Sequence, residues 1–309
     1  MTIPEYFRKV STESLFSTRT LQNCWPTWKM AINNILGENF NEIDIINLGD
    51  HLSDIFKSTG GDGRGQGELS AGGTAWESLV CWYINLCTAG SRTVAIRKMS
   101  LAPKPIQDAI TVNYGNFACN TESDITVITF PDLPDYNINI NALSVENNGL
   151  RIETFKRNRF NPEIINYLCG RDFDNFEIGV IQCKTNWNDN AQIPMLWDMI
   201  YSANGFRGRN ITIGRDGYNI HDAQNFTYAF VTVPSNQRAN YKSESVAVKR
   251  VTNLSGGNYW GKATEPNVAR SIKEIFTNNY QAGYPNNVRT EIRNTLPKLS
   301  GELSYFNII

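Results

Sequence analysis

Short runs of β-branched and aromatic residues, each closed by turn residues, set the middle of this chain apart from its helical beginning. "SDITVITF" (123–130), "LRIETFK" (150–156), "FEIGVIQCK" (176–184), "NITIG" (210–214) and "TYAFVTVP" (227–234) have the length and make-up of strands. Apolar residues at helical spacing separate or follow them, in "NPEIINYLC", "IPMLWDMIYSAN" and "NVARSIKEIFTNNY". The alternation predicts an α/β fold with a central mixed sheet of about five strands flanked by helices.

The first 57 residues read as helical, with apolar positions three and four apart in "TRTLQNCWPTWKMAINNIL" and "NEIDIINLGDHLSDIFK". The glycine-dense "STGGDGRGQGELSAGG" (58–73) then reads as a flexible loop, because glycine loses too much conformational freedom in a regular element. "TAWESLVCWYINLC" reads as a helix opened by Thr74, with Glu77 three residues on as its capping-box partner. No linker interrupts the chain, so residues 1–309 are expected to form one domain. Its parts are a helical region and Gly-rich loop (1–73), a core (74–234), and C-terminal loops and helices (235–309).

Composition narrows the class. With 309 residues, 41% of them hydrophobic, the chain can bury a sizeable core, and no low-complexity tract or solenoid repeat is present. "MTIPEYFRKV" lacks the basic and apolar regions of a secretory signal, and no run approaches 18 apolar residues, so a soluble, intracellular protein is expected. Cys24, Cys81, Cys87, Cys119, Cys169 and Cys183 form no CxxC pair, and His51 and His221 are the only histidines. That argues against a zinc finger and for buried free thiols. A cysteine hydrolase using Cys183 or Cys119 with His221 or His51 lacks a visible nucleophile turn. The formal charge of −1 hides an asymmetry: residues 1–148 hold 10 Lys and Arg against 16 Asp and Glu, residues 149–309 hold 19 against 14. A basic surface on the second half follows.

Chemistry concentrates at two strand ends. Alternation places Gln182 and Lys184 on one face of the 176–184 strand, and Asp124 opens the 123–130 strand. If these strands are neighbours, the three side chains converge. Asp124, the Gln182 amide oxygen and the carbonyl of residue 183 are oxygen ligands suited to Mg²⁺, which would polarise a phosphoryl oxygen and activate a water. Lys184 could position that water or stabilise developing charge.

"SD" at 123–124 followed by "QCK" at 182–184 resembles the PD-(D/E)xK nuclease superfamily, which includes most type II restriction endonucleases. Ser123 stands where the motif has proline, and Gln182 where it usually has an acid. The resemblance implies a restriction-endonuclease-like core, with residues 131–175 as an insertion between the motif strands. It implies a Mg²⁺-dependent, sequence-specific double-stranded DNA endonuclease, homodimeric, in a bacterial or archaeal cytoplasm. It also implies a metal glutamate from an amino-terminal helix, a role that Glu77 in "WESLV" would fill beside Asp124 and Gln182. Glu122 is the rival ligand, and Glu177 points away from Lys184.

The surrounding loops carry residues that pair with base edges and phosphates. Asn186, Asn188, Asn190 and Gln192 follow directly from the motif strand, and Arg207, Arg209, Arg215, Gln237, Arg238 and Lys242 lie in later polar loops. The basic segment "RTVAIRKMSLAPK", with Arg92, Arg97, Lys98 and Lys104, is a further backbone contact, and the 58–73 loop could close over DNA. A P-loop is not supported, since no lysine–serine ending follows those glycines. Alternatives are a repair or recombination nuclease of the same superfamily, and a non-catalytic nucleic-acid-binding protein in which Asp124 and Lys184 form an ordinary ion pair.

Overall fold

The computed structural model describes residues 1–59, 66–119, 123–157, 159–185, 191–206, 208, 210–233 and 241–309, with backbone alone for 66–71. Four helices open the chain: α1 (Ile3–Phe16), α2 (Arg19–Leu36), α3 (Glu42–Asn47) and α4 (Leu52–Lys57). Their starts follow from side chains that accept from orphan amides. Thr2 accepts from Glu5 N, Thr18 from Leu21 N, and Asn41 with Asp44 completes a capping box.

Helix α5 runs over Gln66–Cys87, so it begins eight residues before Thr74. From residue 66 the expected loop is helix instead, its residues 60–65 lie outside the described residues, and Glu77 lies in the helix interior with no capping-box role. Glycine is unfavourable in a helix, but this one is held by tertiary contacts: Trp76, Leu79, Val80, Trp82, Tyr83 and Ile84 are all fully buried.

The strands are β1 (Thr93–Ile96), β2 (Val112–Tyr114), β3 (Phe117–Cys119), β4 (Ile125–Thr129), β5 (Val145–Asn147), β6 (Leu150–Ile152), β7 (Phe155–Lys156), β8 (Arg159–Phe160), β9 (Glu177–Lys184), β10 (Ile211–Ile213), β11 (Asn225–Thr232), β12 (Asn258–Trp260) and β13 (Arg270–Ser271). Six of them form the central sheet in the order β1-β4-β9-β11-β12-β13. β1, β4 and β9 pair antiparallel, while β9, β11, β12 and β13 run parallel. The fold is thus the expected mixed α/β, with a six-stranded mixed sheet that contains three of the runs read from the sequence, β4, β9 and β11. The 150–156 run splits between two small hairpins, β5-β6 and β7-β8, and the 210–214 run joins a separate sheet, β10-β2-β3. β1 sits inside the segment read as a basic patch. The expected helix at "NVARSIKEIFTNNY" reduces to β13, a single 3₁₀ turn (Ile272–Glu274) and Ile275–Asn278.

The two faces of the sheet carry separate cores. Ile125, Val127, Ile181, Cys183, Ala229 and Val231 pack with α5, whereas Ile128, Ile178, Val180 and Tyr228 pack with the helices Pro162–Arg171 and Gln192–Ser202. Among the described residues, no helix is long and apolar enough to cross a membrane.

Candidate active site

The β4–β9 register, Ile125 against Ile181, sets Asp124 opposite Gln182 at one end of the sheet. Asp124 Oδ2 accepts a hydrogen bond from the Cys183 amide at 2.7 Å, and the Lys184 ammonium lies 3.9 Å from the same oxygen. Both side chains keep some solvent contact, 14% for Asp124 and 25% for Lys184, so the pair stands on a wetted rim. Ser123 shares a hydrogen bond with Thr126 at 2.8 Å, which ties down the entry to β4.

Helix α5 brings Glu77 to the same end. Its neighbour Trp76 donates Nε1–H to the Val231 carbonyl at 3.3 Å and packs over Gly261, where a β-carbon would collide with the indole. Glu77 Oε2 accepts from Arg97 Nε at 3.0 Å. Burial pushes the Glu77 carboxyl above its ordinary value, while the nearby Arg97 and, more weakly, Lys184 pull it down. Cys183 lies between these groups: burial holds its thiol well above the usual range, and the charges of Asp124 and Glu77 reinforce that. A thiol held protonated in this way is a poor nucleophile, which argues against a cysteine hydrolase at this position.

Gln182 is fully buried. Its Oε1 accepts from the Tyr228 hydroxyl at 3.0 Å, on the face away from α5. Asp124 and Lys184 are therefore brought together beside the Cys183 amide, with Glu77 at the same end from the α5 layer, while Gln182, which shares a face with Asp124 and Lys184 by alternation, is anchored to β11 through Tyr228. Lys184, on Gln182's face by alternation, ends its strand, and its amine reaches Asp124.

Among the described residues, no three His, Cys, Asp or Glu side chains group as metal donors. Mg²⁺ asks for less, since it retains several waters and is commonly held by one or two carboxylates. The hard oxygens of Asp124 and Glu77 and the nearby Lys184 charge fit such an ion with one phosphate.

The expected DNA contacts divide. Asn186, Asn188, Asn190, Arg207, Arg209, Gln237 and Arg238, and the rival ligand Glu122, lie outside the described residues. Gln192 opens the helix Gln192–Ser202 and accepts from Arg250 Nη1 at 3.1 Å. Arg215 is tied to the buried Asp108 at 2.5 Å. Lys242 is exposed, its backbone amide bonded to Ser245 Oγ.

The basic segment is a structural element. Arg92 donates to the Phe130 and Ala282 carbonyls, Thr93–Ile96 is β1, Arg97 holds Glu77, and Lys104 pairs with Asp108. Arg97 is the functional candidate whose part the sequence concealed. It reads as one cation among several, and only the packing of α5 on β1 gives it an acid. No known family model matches the chain, and no curated protein matches it.

Proposed function

We propose that the protein is a Mg²⁺-dependent, site-specific endonuclease that hydrolyses phosphodiester bonds of double-stranded DNA and acts as a homodimer. The observation that carries this reading is the Asp124–Lys184 pair at 3.9 Å across adjacent antiparallel strands, with Glu77 close enough to feel the same ammonium. An acid at one strand start and a lysine at the next strand's end, facing one rim, suit phosphoryl transfer better than they suit a buried structural ion pair. Two symmetric copies would let a dimer cut both strands of a two-fold symmetric site.

Each residue then has a task. Asp124 and Glu77 would hold the metal, with Gln182 supporting the strand beside them through Tyr228. When bound, Mg²⁺ supplies polarisation of the phosphoryl oxygen and a lower pKa for a coordinated water. The Cys183 amide fixes the Asp124 carboxylate, so its second oxygen has a defined direction. Burial raises the Glu77 carboxyl, and Arg97 offsets part of that pull. The Lys184 ammonium orients the attacking water by hydrogen bonding and offsets the charge that grows on the phosphoryl oxygens.

Incubation with plasmid DNA and Mg²⁺ tests the reading: discrete fragments support it, and intact plasmid across a range of sequences overturns it. Lys184→Ala separates site from fold. It is expected to bind DNA yet cut on the order of a hundredfold or more slowly, as when one stabilising donor is removed from a transition state.

A further inference from the structure

The carboxyl ends of the parallel strands form a flush rim. Lys184 lies opposite Thr232, and Thr232 opposite Trp260. The rim is locked by cross-strand bonds: Thr232 Oγ1 and Val233 N donate to the Lys184 carbonyl at 2.8 and 3.2 Å, and Gly261 N donates to the Thr232 carbonyl at 3.0 Å. Lys262 follows directly, its ammonium 4.2 Å from the centre of the Trp260 ring. Two strand spacings, about 10 Å, separate its position on the rim from that of Lys184.

A second lysine approaches Lys262 from the helical layer. The first turn of α4 is pinned to the rim where the Ser53 amide meets the Gly261 carbonyl, and Gly261 has no side chain to hold Trp76 and α5 away. Lys57 ends α4, one turn beyond Ser53; burial lowers its affinity for a proton, the Lys262 charge adds to this, and Asp54 opposes it. Lys57 is exposed, and Lys262, half-buried, rests its charge on the Trp260 ring. The Ser53–Gly261 bond thus brings the helix that ends in Lys57 against the strand end that carries Lys262, and like charges at one rim favour an anion between them.

We infer that Lys57 and Lys262 form a phosphate-binding subsite for the DNA backbone, on the same rim as Asp124 and Lys184 and displaced from the cleavage point along the sheet edge. This rests on the nuclease reading. Ligands of open α/β sheets bind outside the carboxyl ends of parallel strands, and a row of Lys184, Lys262 and Lys57 gives that edge the sign a polyanion requires. The subsite carries no sequence information; it holds the register of the duplex while the Asp124 region acts on one bond.

The test measures binding of the full-length chain to a fluorescein-labelled DNA duplex, without Mg²⁺, over a range of salt concentrations. Each phosphate contact contributes about 0.9 to the slope of log affinity against log salt, so Lys57→Ala with Lys262→Ala is expected to reduce the slope by nearly two and weaken binding about tenfold or more. Lys57→Arg with Lys262→Arg should restore both, and Lys156→Ala, an exposed lysine on β7 paired with Glu163, should change neither. Unchanged thermal melting of the double alanine variant confirms its fold. A double alanine variant with wild-type affinity and slope overturns the subsite while leaving the nuclease reading intact. A wild-type protein that neither binds nor cuts duplex DNA overturns both.

Discussion

The Cys183 amide donates to the carboxylate of Asp124 at 2.7 Å, fixing the residue that precedes β4 to the penultimate residue of β9. This bond makes Asp124 structural as well as a metal candidate. Asp124→Ala leaves the N–H near the end of β9 without that acceptor, a loss expected to cost about 1–3 kcal/mol. Asp124→Asn retains an acceptor oxygen and is expected to lose less stability, yet to lose cleavage as completely. Urea unfolding and plasmid digestion of the two variants check this; an active Asp124→Asn protein would remove Asp124 from the chemistry.

Arg97 and Glu77 predict a pH signature. Burial sets the folded-state value of Glu77 above its ordinary value of 4.5. The folded protein then binds that proton more tightly than the unfolded chain does. Its contribution to stability therefore declines as pH rises from the unfolded carboxyl range to the raised folded value, and is level beyond. Glu77→Gln should abolish this decline, and Arg97→Ala should extend it to higher pH. Urea unfolding of the three proteins from about pH 4 to pH 8 reads it directly. The same logic applies to cleavage: Arg97→Ala should move the acid limb of the pH–rate profile upward, and Arg97→Lys should move it less.

The amino-terminal extension of α5 gives a prediction free of any functional reading. Gly73 lies inside the helix, and a β-carbon there would meet nothing within 4 Å. Gly73→Ala is expected to raise stability by about 0.5–1 kcal/mol through the lower entropy of the unfolded chain and better helix propensity. In a flexible loop the same change would do nothing measurable. Thermal melting distinguishes the two outcomes.

Which features were legible in the sequence follows from the range over which each is determined. β4, β9 and β11 announce themselves, because a buried strand needs β-branched and aromatic residues whatever its partners. The partners themselves were not legible: "LRIETFK" and "NITIG" have the same local pattern, yet they pair in side sheets. β1 escaped because four residues between Arg92 and Arg97 are too short to outweigh their charged flanks. The start of α5 escaped because its glycines argue locally for a loop, while tertiary packing of Trp76 and its neighbours holds the helix. At the site, Asp124 and Lys184 were legible from strand-end position, and their neighbourhood depends on a β4–β9 pairing that only the fold supplies. The partner of Glu77 was not legible, since Arg97 reaches it across 20 residues of chain.

Gln182 supplies the last test, because its polar amide has no solvent to face. It is fully buried, and its amide oxygen is satisfied by the Tyr228 hydroxyl at 3.0 Å. Gln182→Glu introduces the acid that the proposed nuclease reading would put at this position, but places it where a charge is expensive. Burial should raise the new carboxyl's pKa, so the variant is expected to be destabilised at neutral pH and to approach wild-type stability as pH falls and the group protonates. The Tyr228 hydroxyl can donate to either form, so the loss reflects desolvation rather than a missing partner. Denaturant midpoints at about pH 5 and pH 8 separate the two contributions. A variant as stable as wild type at both, with a lower Mg²⁺ concentration needed for cleavage, would instead place position 182 in direct contact with the ion.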